Sequence, residues 1–438
     1  MALLGAMMTI LASCGPSGGA TVTISPDAFV LVVGEERALT ATVDASGGVS
    51  DEVTWRSDDA SVATVNEDGR VTAVAEGVAT VTATSVDEPT ASDAVTVEVL
   101  PEGAVRWTRR VGTDAYDEAV AVAADSENAA LVAGTTAGPM GGAPANGADV
   151  YVRKLNSQGD ALWTHQFGSP GEDRVSRGGV AVDGSDAVLV GGQVEGDVEG
   201  HVGQTDALVR KLDATGEVVW TRQFGTTDTD EVVSVAVDAG NAIVAAGETR
   251  GALAGPNTGK DDAFVRKLDA DGATLWTRQF GSGTSDYGGG VAVDEDGYVL
   301  VSGATDGMVG ASDPGGRDAF VRKLDPDGAT LWTRQFGTDA FDSPGQVAAD
   351  SAGRVIVVGV TEGGLGGTHA GDRDVFVRKL DGDGQEVWTR QFGTAAEEGA
   401  VGVAVDGTDQ ILVAGASGGD LAGPVAGGSD GIVRKYGR

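Results

Sequence analysis

The chain of 438 residues carries 66 acidic against 30 basic side chains, a formal net charge of −36 at pH 7. Such a charge repels the phosphates of nucleic acids and anionic lipid headgroups, and it excludes both as expected partners. The 70 glycines and the aromatic content of only 5% indicate many turns and short strands, and the length allows two or three domains.

The first predicted element is an export signal. Residues 1–10 are mostly apolar, and Leu11-Ala12-Ser13-Cys14 follows with small side chains. The stretch is too short to span a bilayer as a helix and is typical of a signal peptide. Its end resembles a bacterial lipobox, which implies that Cys14 is diacylated and anchors the protein in the cell envelope, at the outer membrane or cell surface. Residues 1–14 are therefore predicted to be a lipoprotein signal peptide, and membrane contact is expected only through the lipid.

A small all-β domain is predicted for residues 20–100, after a Pro/Ser/Gly-rich tether at 15–19. Apolar and small polar residues alternate with period two, and turn clusters separate the runs. Six or seven short strands around Trp55 fit a small Ig-like sandwich. The runs that carry this prediction are Ala20–Ile24, Ala38–Val43, Val53–Trp55, Val71–Val74 and Ala79–Ala83.

The segment Val53–Ala83 contains Trp-x-Ser, Ala-Thr-Val and Gly-x-Val-Thr-Ala in that order. In this it resembles the bacterial Ig-like domain of group 2, a module of stalks and adhesins on bacterial surfaces. The resemblance implies display on the cell and no catalysis by this domain. A linker is predicted at residues 101–104.

Six repeats of about 56 residues occupy residues 105–438. A fixed period of this length predicts supersecondary units that bury their apolar faces on one another. Each unit is marked by Trp-Thr-Arg-Gln-Phe-Gly or a close variant, whose tryptophans are predicted to be structural: Trp107, Trp163, Trp220, Trp276, Trp332 and Trp388.

The unit around Trp276 predicts four short strands at Leu275–Phe280, Gly290–Val293, Tyr298–Ser302 and Ala319–Leu324. Four strands with tight turns, repeated around an axis, are typical of a β-propeller blade, and a straight solenoid is the alternative. The small residues of Val-Ala-Val-Asp suit the innermost strand, and the bulky Trp-Thr-Arg-Gln-Phe suits the outermost one.

The repeats share Val-Ala-Val-Asp, Asp-Ala-Phe-Val-Arg-Lys-Leu-Asp and Trp-Thr-Arg-Gln-Phe-Gly, and in these they resemble the SBBP bacterial β-propeller repeat family. That family is usually described as seven-bladed, whereas this chain has six units. The last repeat lacks an outer strand after Ile432–Tyr436, and the first begins with a spare one at Val105–Arg109. Pairing these two segments would close a six-bladed ring and remove both exposed edges.

One face of the predicted propeller carries long Gly-rich loops that differ in sequence while the strands hardly change. Examples are Glu248–Asp261, Ala304–Arg317 and Val360–Arg373. Variable loops on a rigid scaffold are the usual place for a ligand, although drift would look the same. Repeat 2 differs most from the others in length, and Glu172, Arg174 and Arg177 are the first candidates there for a unique site.

One acid recurs ten residues after each tryptophan, just before the predicted inner strand. These acids would ring one mouth of the channel, where Ca²⁺ could bind several carboxylates. The alternative is that each acid caps its own turn or pairs with a strand arginine such as Arg266 or Arg322. The acids are Asp117, Asp173, Asp230, Asp286, Asp342 and Glu398.

No catalytic constellation is readable from the sequence. The three histidines fall at unrelated repeat positions and have no metal-ligand spacing. We expect a non-catalytic binding or adhesion protein, with the propeller as head for a protein or glycan ligand and the Ig-like domain as stalk. The alternatives are a structural envelope component and, less favoured, a propeller enzyme acting on polysaccharide, which would need carboxylates that differ between blades.

Overall fold

The computed structural model describes residues 20–45, 50–101, 107–142, 147–310, 315–421 and 429–437. These residues form strands and no helix, so the all-β prediction is confirmed, and nothing in them could cross a bilayer as a helix. The chain divides into two compact units, one ending at Thr108 and the other beginning at Arg109. The predicted signal peptide, Cys14, the tether and most of the predicted linker lie outside the described residues.

The first unit packs two sheets and a two-stranded ribbon around one core. Its strands are β1 (Thr21–Ser25), β2 (Ala28–Val32), β3 (Glu36–Ala38), β4 (Thr40–Asp44), β5 (Val53–Ser57), β6 (Ala63–Val65), β7 (Arg70–Ala73), β8 (Gly77–Ser85) and β9 (Ser92–Leu100). They pair as β2-β9-β8-β5, β3-β7-β6 and β1-β4, and β2 runs parallel to β9. Buried Ala79, Val81 and Ala83 alternate along β8, and buried Val95, Val97 and Val99 alternate along β9, so the period-two pattern faces the core.

The five runs named from the sequence correspond to β1, β4, β5, β7 and β8. The domain has nine strands where six or seven were expected, and β2, β3, β6 and β9 were not among the named runs. Strand β9 starts with Ser92 and Asp93, which hide its alternation at the sequence level. Trp55 is half-buried at the edge of the core rather than at its centre. A Cβ on Gly69 would lie only 2.9 Å from the Trp55 ring, so this ring covers the turn at Gly69 as well as the core.

In the second unit each repeat forms an antiparallel sheet, and we call these sheets blades 1 to 6. Blades 1 to 5 have four strands and blade 6 has three among the described residues. The strands are β10 (Asp117–Ala124), β11 (Ala130–Thr136), β12 (Asp149–Leu155), β13 (Ala161–Phe167); β14 (Arg174–Val182), β15 (Val188–Val194), β16 (Asp206–Leu212), β17 (Val218–Phe224); β18 (Asp230–Val237), β19 (Ile243–Thr249), β20 (Asp262–Leu268), β21 (Thr274–Phe280); β22 (Asp286–Val293), β23 (Val299–Thr305), β24 (Asp318–Leu324), β25 (Thr330–Phe336); β26 (Asp342–Ala349), β27 (Val355–Thr361), β28 (Asp374–Leu380), β29 (Glu386–Phe392); and β30 (Glu398–Val405), β31 (Ile411–Ser417), β32 (Asp430–Tyr436).

The first strand of each blade lies innermost, as predicted, and the Trp-Thr-Arg-Gln-Phe strand lies outermost. The inner strands approach so closely that β14 and β18 share a parallel bridge between Gly178 and Ser234. Gln346 fills the space between them, with its amide 2.6 Å from where a Cβ on Gly178 would stand. The inner strand of blade 4 starts at Asp286, four residues before the predicted Gly290–Val293 segment, because its pairing with β23 continues beyond a register shift between Gly288 and Val291.

Neighbouring blades are held by a joint in which each blade's outer strand grips the next blade's turn. Trp220 donates its indole N–H to the Ala270 carbonyl at 3.0 Å, and Arg222 Nε donates to the Gly272 carbonyl at 2.8 Å. Gly272 has φ of +80°, and a Cβ there would lie 2.9 Å from the Trp220 ring, so the turn needs glycine. The same indole contact recurs from Trp163, Trp276 and Trp332.

Two further contacts of the Val-Arg-Lys strand repeat around the unit. Its arginine stacks on the phenylalanine of the preceding blade, as Arg266 does over Phe224 at 3.8 Å. Its lysine reaches the aspartate of Val-Ala-Val-Asp, as Lys211 does at 2.7 Å from Asp183, and most of these ion pairs are buried. The other lysine pairs are Lys154–Asp125, Lys267–Asp238, Lys323–Asp294, Lys379–Asp350 and Lys435–Asp406.

The seam between blades 6 and 1 differs from the other joints. No described strand pairs with the outer edge of β32, and residues 107–111 adopt no strand, while Val105 and Arg106 lie outside the described residues. A cavity of about 720 Å³, which we call the seam cavity, is lined by the first strands of all six blades together with β31 and β32, and at its seam side Val122 and Val433 are 71% and 74% exposed. Arg109 nevertheless donates to the Gly159 carbonyl at 2.9 Å, the contact that Arg222 makes elsewhere. The arginine contact that the predicted ring closure requires is thus present, but residues 107–111 form no strand that pairs with β32.

We expect Arg109→Ala to destabilise the second unit by about 1–2 kcal/mol, since it removes the hydrogen bond to the Gly159 carbonyl. Trp107→Ala should act in the same direction if the ring closure predicted from the sequence forms. The measurement is the thermal unfolding midpoint, with Arg110→Ala as the control. If neither midpoint falls relative to the control, the first repeat's outer segment does not hold the ring.

Candidate functional site

The six recurring acids lie at one end of the blades, but each is engaged within its own turn. Asp230 Oδ2 accepts the Thr226 backbone N–H at 2.6 Å and the Thr226 hydroxyl at 3.0 Å. In each of the other five repeats, the threonine or serine four positions earlier likewise donates a hydrogen bond to the acid. The pairs are Thr113 with Asp117, Ser169 with Asp173, Ser282 with Asp286, Thr338 with Asp342 and Thr394 with Glu398. All but Asp117 are fully or almost fully buried.

A second acid from the preceding blade faces each of the last five across the glycine of Trp-Thr-Arg-Gln-Phe-Gly. A Cβ on Gly225 would lie 2.7 Å from an oxygen of Asp206 and 2.8 Å from one of Asp230. Asp206 is held by the Gln223 amide at 2.8 Å. Burial raises the pKa of Asp230, with the negative Asp206 adding to it and hydrogen bonds from Thr249 and Thr226 opposing it.

In these contacts each acid caps its own turn, which is the alternative to a cation site. The carboxylates point into separate joints, and the described residues contain no group of three or more side chains able to hold a metal. Arg266 and Arg322 stack on phenylalanines and donate to Thr277 and Thr333. Ca²⁺ binding at this end of the propeller stays a prediction.

The residue that follows each recurring acid differs from blade to blade, and this position marks a second candidate site. Blade 3 has Glu231 there, and Glu248 stands directly opposite it on β19. Both side chains are half-buried. The Ser176 hydroxyl of blade 2 donates to Glu231 at 2.6 Å. The Glu248 carboxyl forms no hydrogen bond or ion pair with the residues that the structure describes.

The pKa of Glu248 is raised to about 7, and burial is the largest cause. The negative charges of Glu231 and Asp261 also raise this pKa, and the positive charges of Arg250 and Arg317 lower it. Burial also raises the pKa of Glu231, against the Ser176 hydrogen bond and the charge of Arg174. Near neutral pH Glu248 is therefore partly protonated, whereas an exposed glutamate would be fully ionised.

Three salt bridges close the bases of the long loops in blades 3, 4 and 5. Each joins the residue after the second strand to the residue before the third: Arg250–Asp261 at 2.7 Å, Asp306–Arg317 at 2.7 Å and Glu362–Arg373 at 3.0 Å. The order of the charges is reversed in blade 3. The loops are two residues shorter than predicted, because the second strand of each of these blades extends two residues further into the loop.

Aromatic rings link these bridges. The Arg317 guanidinium lies 4.3 Å from the Tyr287 ring centre and 5.4 Å from that of Phe341, and it donates to the Tyr287 hydroxyl at 3.2 Å. The Arg373 guanidinium lies 5.1 Å from the centre of the same Phe341 ring. We call this set the mouth cluster: Glu231, Glu248, Arg250, Asp261, Tyr287, Asp306, Arg317, Phe341, Glu362 and Arg373.

The residues singled out in repeat 2 lie beside the mouth cluster, not within it. Glu172 and Arg174 form an exposed ion pair at 4.0 Å, and Arg174 acts on Glu231 through its charge. Arg177 lines the seam cavity. The signal that would have found the site is the position after each acid, which reads Glu, Arg, Glu, Tyr, Ser and Gly in blades 1 to 6.

Comparison with known proteins identifies the parts of the chain. Residues 20–99 match the family model of the bacterial Ig-like domain (group 2), and residues 275–307, across the joint between blades 3 and 4, match the model of the beta-propeller repeat. The chain carries a group 2 bacterial Ig-like domain and beta-propeller repeats. Both family resemblances seen in the sequence are thereby confirmed.

Curated relatives match only in part. The regulatory protein FlaEY of Caulobacter vibrioides is 29% identical over 252 residues, which are 53% of this chain and 25% of that protein. A lacto-N-biosidase of Bifidobacterium bifidum is 47% identical over 81 residues, 17% of this chain and 7% of that protein. The chain spans a quarter or less of these relatives. Among solved structures, a polysaccharide lyase, an ulvan lyase, is 10% identical with a TM-score of 0.45 over 82% of this chain and 89% of that one.

Asp342→Ala is expected to destabilise the propeller by about 2–4 kcal/mol, because it leaves the Thr338 N–H and hydroxyl without their charged acceptor. Thermal unfolding measures this, with Asp339→Ala in the same turn as an exposed control. Millimolar Ca²⁺ should leave the wild-type midpoint unchanged. A marked rise with Ca²⁺ that Asp342→Ala abolishes would restore the cation site.

Glu248→Gln should stabilise the propeller at high pH and not at low pH. Glu248 has its folded-state pKa raised to about 7, so the unfolded chain ionises first as pH rises from 4.5, and folding loses stability up to pH 7. We expect a gain on the order of 2 kcal/mol at pH 8 that vanishes below pH 4.5. Denaturant unfolding at both pH values measures it, with Glu118→Gln as the matched control, since Thr135 stands opposite Glu118. An equal effect at both pH values would contradict the prediction.

Proposed function

We propose that this protein is an exported binding module of the bacterial cell envelope, whose propeller takes a protein or glycan ligand at the mouth cluster. The observation that carries the proposal is the break in symmetry. Arginines, aromatic rings and a half-buried pair of glutamates gather at one end of blades 3 to 5, in positions where the joints require no particular side chain. Ligand sites on propellers are expected where loops vary over a rigid scaffold.

The Ig-like domain is proposed to act as a stalk and Cys14 as the lipid anchor. The group 2 Ig-like match and the parts of a lacto-N-biosidase and an alpha-L-arabinofuranosidase that this chain resembles support an extracellular or cell-surface setting. The charge of −36 keeps such a head soluble and away from anionic membranes. A six-bladed ring closed by the segment at Trp107 belongs to the same proposal.

A structural envelope component is the first alternative, and no feature of the mouth cluster favours it. A propeller enzyme acting on polysaccharide is the second, and one observation does favour it: blade 3 has two facing carboxylates, Glu231 and Glu248, whereas blade 1 has Glu118 facing Thr135 and the other blades have no glutamate at either position. Binding and catalysis would use the same cluster.

The test is a screen of the full chain against glycan and protein arrays, followed by calorimetry with the strongest ligand. Arg317→Ala should weaken binding at least tenfold, because it removes the cation between Tyr287 and Phe341. The matched control is Arg354→Ala at the other end of the propeller. Both arginines are 30% exposed and bind an aspartate at 2.7 Å. Equal binding by the two variants would place the ligand elsewhere.

A further inference from the structure

The inner strand of blade 2 contains a larger bulge than the inner strands of the other blades. Four of its residues, 176–179, stand opposite the single residue Gly191 of β15, an excess of three. The other five inner strands have an excess of one residue at this point. A bulge re-aims side chains, and bulges are common beside functional sites. The two additional residues of repeat 2 therefore lie in a wall of the seam cavity, which Arg177 and Gly178 line.

The arginine in this bulge has no partner among the residues that the structure describes. Arg177 is exposed, and it forms no hydrogen bond, ion pair or ring contact with any of them. Arg174, three residues earlier, is by contrast paired with Glu172 at 4.0 Å. Acidic side chains outnumber basic ones 66 to 30 in this chain, so an arginine without an acidic partner is unusual in it. The N–H donors of the Arg177 guanidinium are available to a ligand in the cavity.

A second polar group reaches the same part of the cavity from blade 5. The Gln346 amide nitrogen lies 2.6 Å from where a Cβ on Gly178 would stand, next to Arg177. The Gln346 amide oxygen accepts a long hydrogen bond from the Ser234 hydroxyl at 3.5 Å, and the nitrogen has no acceptor among the described residues. The equivalent positions of blades 1, 3, 4 and 6 carry the shorter Ala121, Ser234, Gly290 and Gly402. Gln346 thus adds an N–H donor beside Arg177.

The rest of the cavity wall is mostly apolar. Its seam side carries the exposed Val122 and Val433, and further apolar lining residues are Val120, Val180, Val403, Leu412 and Val413. Glu118, the one acidic side chain among the described lining residues, accepts the Tyr116 hydroxyl at 3.1 Å. The volume of about 720 Å³ lies within the range of about 300–1,000 Å³ that is usual for small-molecule sites. The cavity therefore combines an apolar wall with one unpaired cation.

We propose that the seam cavity binds an amphiphilic carboxylate, a molecule with one anionic head and one apolar chain. The head pairs with the Arg177 guanidinium, which binds a carboxylate through paired hydrogen bonds, and accepts the Gln346 amide N–H. The chain covers the valines on the way to Val122 and Val433, and removing this apolar surface from water favours binding. The site is separate from the mouth cluster, because no residue of that cluster is among the described residues that line the cavity.

The experiment titrates the full chain with decanoate, below the concentration at which it forms micelles, in a calorimeter. Two temperatures are used, because burial of apolar surface makes the heat of binding depend on temperature. Decyltrimethylammonium has a chain of the same length with the opposite charge, and acetate has the charge without the chain. We expect decanoate to bind at least about tenfold more tightly than either of them, since only decanoate satisfies both the cation and the apolar wall.

Two pairs of variants locate the ligand. Arg177→Ala should weaken decanoate binding at least about tenfold, and the matched Arg174→Ala, on the same strand but outside the cavity, should not. Val122→Asp should also weaken decanoate binding, because it places a carboxylate beside the apolar chain. Its control is Val219→Asp on the outer strand of blade 2, where the valine is 54% exposed. Unfolding midpoints establish that each variant is folded.

The proposal is overturned if decanoate gives no binding heat at either temperature, or if decyltrimethylammonium binds as tightly as decanoate. It is also overturned if Arg177→Ala and Arg174→Ala bind decanoate equally well. Should Arg177→Ala fail to fold, the pair Val122→Asp and Val219→Asp decides alone, and equal binding by these two variants would place the ligand outside the seam cavity.

Discussion

Everything in the propeller depends on the joint between successive blades. An indole and a guanidinium from one outer strand hold the Asp-x-x-Gly turn of the next blade, and the glycine of that turn leaves room for the ring. The arginine and phenylalanine stack and the Lys–Asp pairs add to the same packing. Since a blade cannot bury its faces alone, the sequence that repeats most strictly is the sequence that makes these contacts.

This constraint separates scaffold from site. The six recurring acids look like a functional ring when the sequence is read alone, yet in each of them a carboxylate oxygen accepts a hydrogen bond from the turn that precedes it, as in Asp230 and Asp342. A residue needed at every joint has little freedom to serve a ligand. The positions after those acids touch no joint contact and can differ, and there the chain places Glu231, Tyr287 and the arginines of the long loops. Variation within a repeat is therefore more informative about function than the repeat itself.

Much of the fold follows from local pattern. Period and strand order within a blade were predictable because the tryptophan block and Val-Ala-Val-Asp recur with different side-chain sizes. The pairing of Glu231 with Glu248 was not, because the register shift between Val232 and Ser234 decides which residues of β18 and β19 face each other. The direction of the acid side chains also depends on the Thr and Ser donors of the preceding turn. In the Ig-like domain, β9 escaped prediction because its polar start conceals the buried Val95, Val97 and Val99.

The joint also bears on how the length of this chain can change. The two sides of each joint come from successive repeats. Insertion or removal of one whole repeat of about 56 residues therefore leaves every interior joint with matching residues. The chain could then gain or lose a blade without exposing a new kind of surface, and only the seam at Arg109 would have to accommodate the altered circumference. A copy number that differs from the seven usual in the family is what such a modular surface permits. The mouth cluster, which spans blades 3 to 5, would limit where a repeat could be exchanged.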